Sequence, residues 1–179
     1  MSIYVFVDNS NVWIEGKYAS AVHKGLCESM IEAHRQKILN NAWKLDFGKL
    51  LVVVTENKLA EIKEAIIIGS KPTDKDSLWE AMESAGFIVH SHPRNKSNKE
   101  KKVDTGIVQA INKKLYKESQ EEDVFILVMG DSDYVPVVEE IENEGRIAKI
   151  AFWQNVSGEL IAAASNYLDL TPHIDNLSY

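Results

Sequence analysis

Two apolar runs, each cut off at once by an acidic turn, constrain this chain more than any other feature. Residues 3–7 are β-branched or aromatic and lead directly into Asp8-Asn9-Ser10-Asn11, and residues 124–129 lead just as directly into Gly130-Asp131-Ser132-Asp133. Short continuous apolar runs bounded by polar turn residues read as buried strands. Three more runs, at 64–68 before Gly69-Ser70, at 87–90 and at 147–152, have the same character. Between them lie stretches with helical character. The first spans 26–43, with apolar groups at Met30, Ile31, Ala33, Ile38, Leu39 and Ala42; the others span 74–85, closed by Gly86, 103–117, 134–143, stopped by Gly145, and about 158–164. Residues 46–56 are ambiguous, because Asp46 can cap a helix while the apolar run 50–54 suits a strand equally well.

Strands alternating with helices predict an α/β fold, with a mostly parallel sheet covered on both faces and polar functional groups collected at the carboxyl ends of the strands. The 179 residues lie within single-domain range, and a hydrophobic content of 45% is enough to bury a core without a disulfide or structural metal. The expected organisation is one domain over 1–179, with the functional motifs inside 3–153 and a C-terminal helix and tail over 154–179. The single cysteine, Cys27, has no partner for an internal bridge, and no run approaches the roughly 20 apolar residues that cross a bilayer. A soluble protein of the reducing cytoplasm, without membrane contact, is expected.

A net charge of -7 argues against a broadly basic surface that coats nucleic acid. The charge is unevenly placed, however. Arg94, Lys96, Lys99, Lys101 and Lys102 crowd a predicted loop that holds one acid, Glu100. Such a loop can clamp phosphates without reading sequence, or it can simply be solvated.

In a parallel sheet, Asp8 and the 130–133 turn arrive at the same edge, so Asp8, Asp131 and Asp133 converge. Asp104 joins them differently: Ile107, Val108, Ile111 and Leu115 follow it at helical spacing, so it begins the core-facing stripe of its helix. Carboxylates held together against a sheet are costly unless a cation or hydrogen-bond donors neutralise them. Oxygen ligands without a Cys or His cluster favour Mg²⁺ or Mn²⁺ over Zn²⁺, and a metal-activated water suits phosphodiester hydrolysis. Taken singly, Asp8 and Asp133 also make sense as strand-ending helix caps, and Asp104 as an N-cap acid. Capping alone leaves unexplained why the acid-bearing turns also carry Asn11 and Gly130 at one edge of one sheet.

Phe6-Val-Asp-Asn-Ser-Asn11, Ile67-Ile-Gly-Ser70, Lys102-Val-Asp104 and Met129-Gly-Asp-Ser-Asp-Tyr-Val-Pro136, followed by Gly145, resemble in order and spacing the NYN domain family, relatives of the PIN nucleases. The resemblance implies a PIN-like three-layer α/β/α sandwich and a metal-dependent ribonuclease that hydrolyses RNA phosphodiester bonds. It also implies metal-coordinating, catalytic roles for Asp8, Asp104, Asp131 and Asp133, with Asn11 and Ser132 supporting the site, and it makes residues 46–56 helical. The expected cofactor is Mg²⁺ or Mn²⁺ and the expected substrate single-stranded RNA. The basic cluster then offers phosphate contacts, and Trp13, close to Asp8, offers a stacking surface; Trp43, Trp79 and Trp153 are expected in core or rim packing. Many relatives carry a further aspartate six positions after the acid matched by Asp104, where this chain has Ala110. That departure supports the alternative of a catalytically weak or inactive module that binds RNA or protein. A haloacid-dehalogenase-like phosphohydrolase is a minor alternative, because Ser10 stands where its second acid is needed. His90 and His92 alternate at a strand end without a third nitrogen or sulfur ligand nearby. A protein partner or a homodimer is expected to supply specificity.

Overall fold

Strand β1 (Ile3–Asp8) is buried along its whole length, which puts its polar end at the rim of the sheet. The computed structural model describes residues 1–71, 76–93 and 99–179, with side chains in that span except at 70, 71, 76, 92, 93 and 99–104. On one side β1 pairs with β2 (Ile62–Lys71), which pairs with β3 (Ile88–Pro93); on the other it pairs with β4 (Val124–Val128), followed by β5 (Ile147–Phe152) and β6 (Asn166–Asp169). Every pairing is parallel, in the order β3-β2-β1-β4-β5-β6.

The connecting helices are α1 (Asn9–His23), α2 (Met30–Gln36), α3 (Phe47–Val54), α4 (Asp76–Ser84), α5 (Lys99–Lys117), α6 (Val135–Asn143) and α7 (Gly158–Ala163). The chain advances one way through β1 to β3 and the other way through β4 to β6. Right-handed crossovers therefore place α1 to α4 on one face and α5 to α7 on the opposite one. The packing of α3 on α4, α5 on α6 and α6 on α7 agrees. The expected α/β sandwich is the observed fold, and its direction of winding reverses between β1 and β4.

Several elements differ from the sequence reading. A helix, α1, begins immediately after Asp8, where the sequence showed a polar turn and a helix only as what Asp8 could cap; its face toward the core is built from small or polar groups such as Gly16, Ala19 and Ser20, which carry little apolar periodicity. The helix expected over 26–43 is confined to α2. Ser29 caps its start by accepting the Glu32 N–H at 3.2 Å, and Lys37 ends it in the left-handed conformation, φ 55°. Strand β2 does not stop at Gly69-Ser70 but runs to Lys71, because β3 pairs with it that far. Residues 46–56 resolve as helix α3, whose first turn is closed by Asp46 accepting the Lys49 N–H at 3.0 Å. The short edge strand β6 was not anticipated at all.

Tyr4 and Phe6 project from β1 toward α5 and stack on Phe125 of β4, with ring centroids 5.1 and 6.0 Å apart. Helix α5 answers with Ile107, Ile111 and Leu115, all buried. It is tied to the sheet by Lys114, whose ammonium reaches Glu64 of β2 at 2.6 Å and Glu118 at 3.0 Å. Burial opposes charge on that lysine, yet the two carboxylates outweigh it and hold its pKa above the ordinary value. Toward α1, Trp153 at the end of β5 donates its indole N–H to the Val12 carbonyl at 2.9 Å and meets Trp43 edge-on at 5.6 Å. Trp79 is likewise buried, so these three tryptophans pack in the core as expected.

Gly16 is what lets α1 approach the tryptophan pair. A Cβ at that position would lie 2.6 Å from the Trp43 ring and 2.8 Å from that of Trp153. Gly→Ala inside a helix normally stabilises by about 0.5–1 kcal/mol. At Gly16 the overlap with two rigid rings reverses the sign, and Gly16→Ala is expected to destabilise the protein by about 1–3 kcal/mol. Urea denaturation measures this, and a raised midpoint would contradict the packing described.

Candidate functional site

Asp8 ends β1 and also caps α1. It is 4% exposed, and both carboxylate oxygens are engaged: one accepts the Asn11 backbone N–H at 3.1 Å, the other the Tyr134 hydroxyl at 3.0 Å. Capping and site formation are therefore the same geometry here, not competing explanations. Along β1, Asp8 shares a face with Tyr4 and Phe6, the face covered by α5 and α6. Tyr134 reaches it from the 3-10 turn Ser132–Tyr134, which leads into α6.

Asn11 joins this strand end to the next. Its Oδ1 accepts the Gly130 N–H at 3.1 Å, and its Nδ2 donates to Asp131 Oδ2 at 3.3 Å. Because the Gly130 N–H requires an oxygen acceptor, the amide orientation is settled and the NH₂ group must face the carboxylate. The loop can lie this close only with glycine at 130, since a Cβ there would overlap the Phe152 ring. Asp8, Asn11, Gly130 and Asp131 thus form one bonded set across the carboxyl ends of β1 and β4, where the winding reverses.

The remaining predicted residues fall into place unevenly. Asp131, Ser132 and Asp133 are exposed, and the Asp131 side chain does not cap the turn it begins. Asp133 does not cap α6 either; the N-cap position belongs to Tyr134, with Pro136 in the first turn. Asp104 is the sixth residue of α5, inside the helix, so the N-cap reading of it is corrected. The helix starts four residues earlier than the sequence reading placed it. Helical spacing sets position 104 in line with buried Ile107 and Ile111. Its side chain lies outside the described ones. Among the described residues, no three His, Cys, Asp or Glu side chains are grouped to hold a metal ion.

Lys99, Lys101 and Lys102 belong to the first turns of α5, so the expected basic loop is in part a helix; Arg94 and Lys96 lie outside the described residues. Trp13 is half-buried against the main core, with the Lys17 ammonium 4.2 Å from its ring centroid. His90 is exposed on β3, while the side chain of His92 lies outside the described ones. Tyr134 is the residue the sequence reading missed. A tyrosine buried beside an acid-bearing strand end needs a hydroxyl acceptor, and that requirement was the available signal.

The fold is a doubly wound parallel α/β sheet with acids at its switch point, the crevice in which open α/β sheets generally take their ligands. The family model of the NYN domain matches residues 2–171, and the chain belongs to the NYN domain family. The match extends past the expected 3–153 to take in β6, and membership makes the fold nuclease-like. A solved structure from Vibrio parahaemolyticus, described as a protein of unknown function, is similar with a TM-score of 0.68 and 20% identity, covering 94% of this chain and 92% of that one. No curated protein matches the sequence. No helix among the described residues is long and apolar enough to cross a membrane.

The contact between Tyr134 and Asp8 gives a direct prediction. Tyr134→Phe removes one donor from a buried carboxylate while keeping the ring, and is expected to cost about 1–3 kcal/mol. Equilibrium unfolding in urea reads the loss, and a midpoint equal to that of the native protein would contradict it.

Proposed function

We propose that this protein is a divalent-metal-dependent ribonuclease whose reaction centre is the carboxyl edge of β1 and β4. The observation that carries the reading is the bonded set Asp8–Asn11–Asp131, which keeps two carboxylates at adjoining strand ends in a family with a nuclease-like fold. That donor set suits Mg²⁺ or Mn²⁺. Mg²⁺ typically takes one or two protein carboxylates and completes its shell with waters and substrate phosphate oxygens. Asp8 and Asp131 meet this requirement, with Asp104 and Asp133 as the further acids proposed to serve the site.

When bound, such a cation polarises the phosphodiester and makes water a better nucleophile at neutral pH. The chain's own groups do the rest. The Asn11 N–H and the Tyr134 hydroxyl orient the Asp8 carboxylate, so that it does not reorganise during the reaction. The Asn11 side chain holds the Asp131 carboxylate to the same edge. Ser132 is proposed to support the substrate from the exposed turn, and the lysines at the start of α5 to meet its phosphates.

Cleavage of labelled single-stranded RNA in Mn²⁺, Mg²⁺ or EDTA tests the reading. Native protein is expected to cut in either metal and not in EDTA, and folded Asp8→Asn and Asp131→Asn are expected to lose at least about two orders of magnitude in rate, the scale of removing a key electrostatic group. RNA binding with no cutting in any metal would instead identify a non-catalytic module. The half-buried Ala110 of α5, which brings no carboxylate, is the feature that favours that second reading.

A further inference from the structure

Helix α5 covers β1 and β2 but leaves the same face of β3 open, and a cleft of about 320 Å³ lies between the helix and the sheet there. Ile66 and Ile68 of β2 form its floor; His90 of β3 and Gln109, Ala110 and Lys113 of α5 form its walls. The register connects it to the acidic site. Asp8 pairs with Ile68, and Ile68 pairs with His90, so the three occupy one row across three strands. Two strand spacings put the backbone at His90 roughly 10 Å from that at Asp8. The Ile68–His90 end of the cleft therefore lies in the row of the proposed reaction centre, and the cleft extends from there along β2 toward Glu64.

We propose that this cleft seats a nucleotide of the RNA strand adjacent to the phosphate that is cut. The proposal rests on the ribonuclease reading and adds a substrate subsite to it. Three features favour a nucleotide. The floor is aliphatic and Ala110 is small, which leaves a flat apolar surface for a base. Gln109, exposed at the wall, offers both a donor and an acceptor to a base edge. Lys113 and His90 are exposed at the rim, where a phosphate would pass. Glu64, the one acid among the described lining residues, is bonded at 2.6 Å to Lys114, an ammonium it shares with Glu118, and exposed Lys113 adds a positive charge at the rim. The size also fits, since small-molecule sites start at about 300 Å³.

The test measures fluorescence polarisation of a labelled oligouridylate with the full chain in EDTA, for native protein, Ala110→Leu, which fills the cleft, and Lys113→Glu, an exposed change that reverses a rim charge. Each variant is expected to weaken binding by about tenfold or more, the scale of one stacked base, with its melting temperature near native. If Ala110→Leu does not fold, Lys113→Glu and Gln109→Ala carry the test. Native binding of the oligouridylate left unchanged by the folded variants overturns the cleft assignment, while metal-dependent cleavage by the native protein would still uphold the ribonuclease reading. Weakened binding in the variants, from a native protein that cuts in no metal, leaves RNA seated in the cleft but overturns the ribonuclease reading and with it the placement beside a cut phosphate. A native protein that does not bind the oligouridylate overturns the cleft.

Discussion

The bonds of the Asn11 side chain are what the arrangement of acids at the carboxyl edge of β1 and β4 depends on. The side chain is placed by the first turn of α1, which exists because Asp8 caps it, and it reaches across to accept the Gly130 N–H and to donate to Asp131. One amide thus ties together the turns that leave two paired strands from opposite halves of the doubly wound sheet. The fold supplies the meeting point, since the sheet reverses its winding between β1 and β4 and leaves a crevice there. Asn11 and the close passage of Gly130 over Phe152 turn that crevice into a defined set of oxygens.

Burying the Asp8 carboxylate would be unfavourable without donors, because desolvation penalises the charged form. The protein supplies them locally, from the helix it caps and from Tyr134 of the turn before α6. The neighbouring exposed carboxylate of Asp131 adds like charge to the same edge. That arrangement has a clear use for a site that receives a cation, and little use for a surface that only binds phosphates. The open face of β3, where the nucleotide subsite is proposed, lies on the same side of the sheet and in the same row of residues as Asp8.

Much of this was legible in the sequence. The strand-then-acid pattern at Asp8 and at Asp131, together with the alternation of strands and helices, led to the parallel α/β sheet, and the spacing of the four motifs led to the family. Strand β5 and the helical α6 stand where they were expected. What could not be read depends on tertiary partners. Helix α1 buries small and polar groups against tryptophans distant in sequence, so no apolar stripe announces it. Strand β6 is four residues long and exists by pairing with β5. The length of α2 is set by the Ser29 cap and by the left-handed Lys37, two local features masked by a longer run of good helix formers. Tyr134 was overlooked because its importance lies in a hydroxyl that meets an acid 126 positions away.

Joint binding of a divalent cation by Asp8 and Asp131 is tested, without any substrate, by Mn²⁺ titration followed by electron paramagnetic resonance. Native protein is predicted to deplete the signal of free Mn²⁺ in a saturable manner, and folded Asp8→Asn and Asp131→Asn are each predicted to lose that depletion. Equal depletion by the native protein and both variants, or none by the native protein, would rule out a metal site built on these two carboxylates.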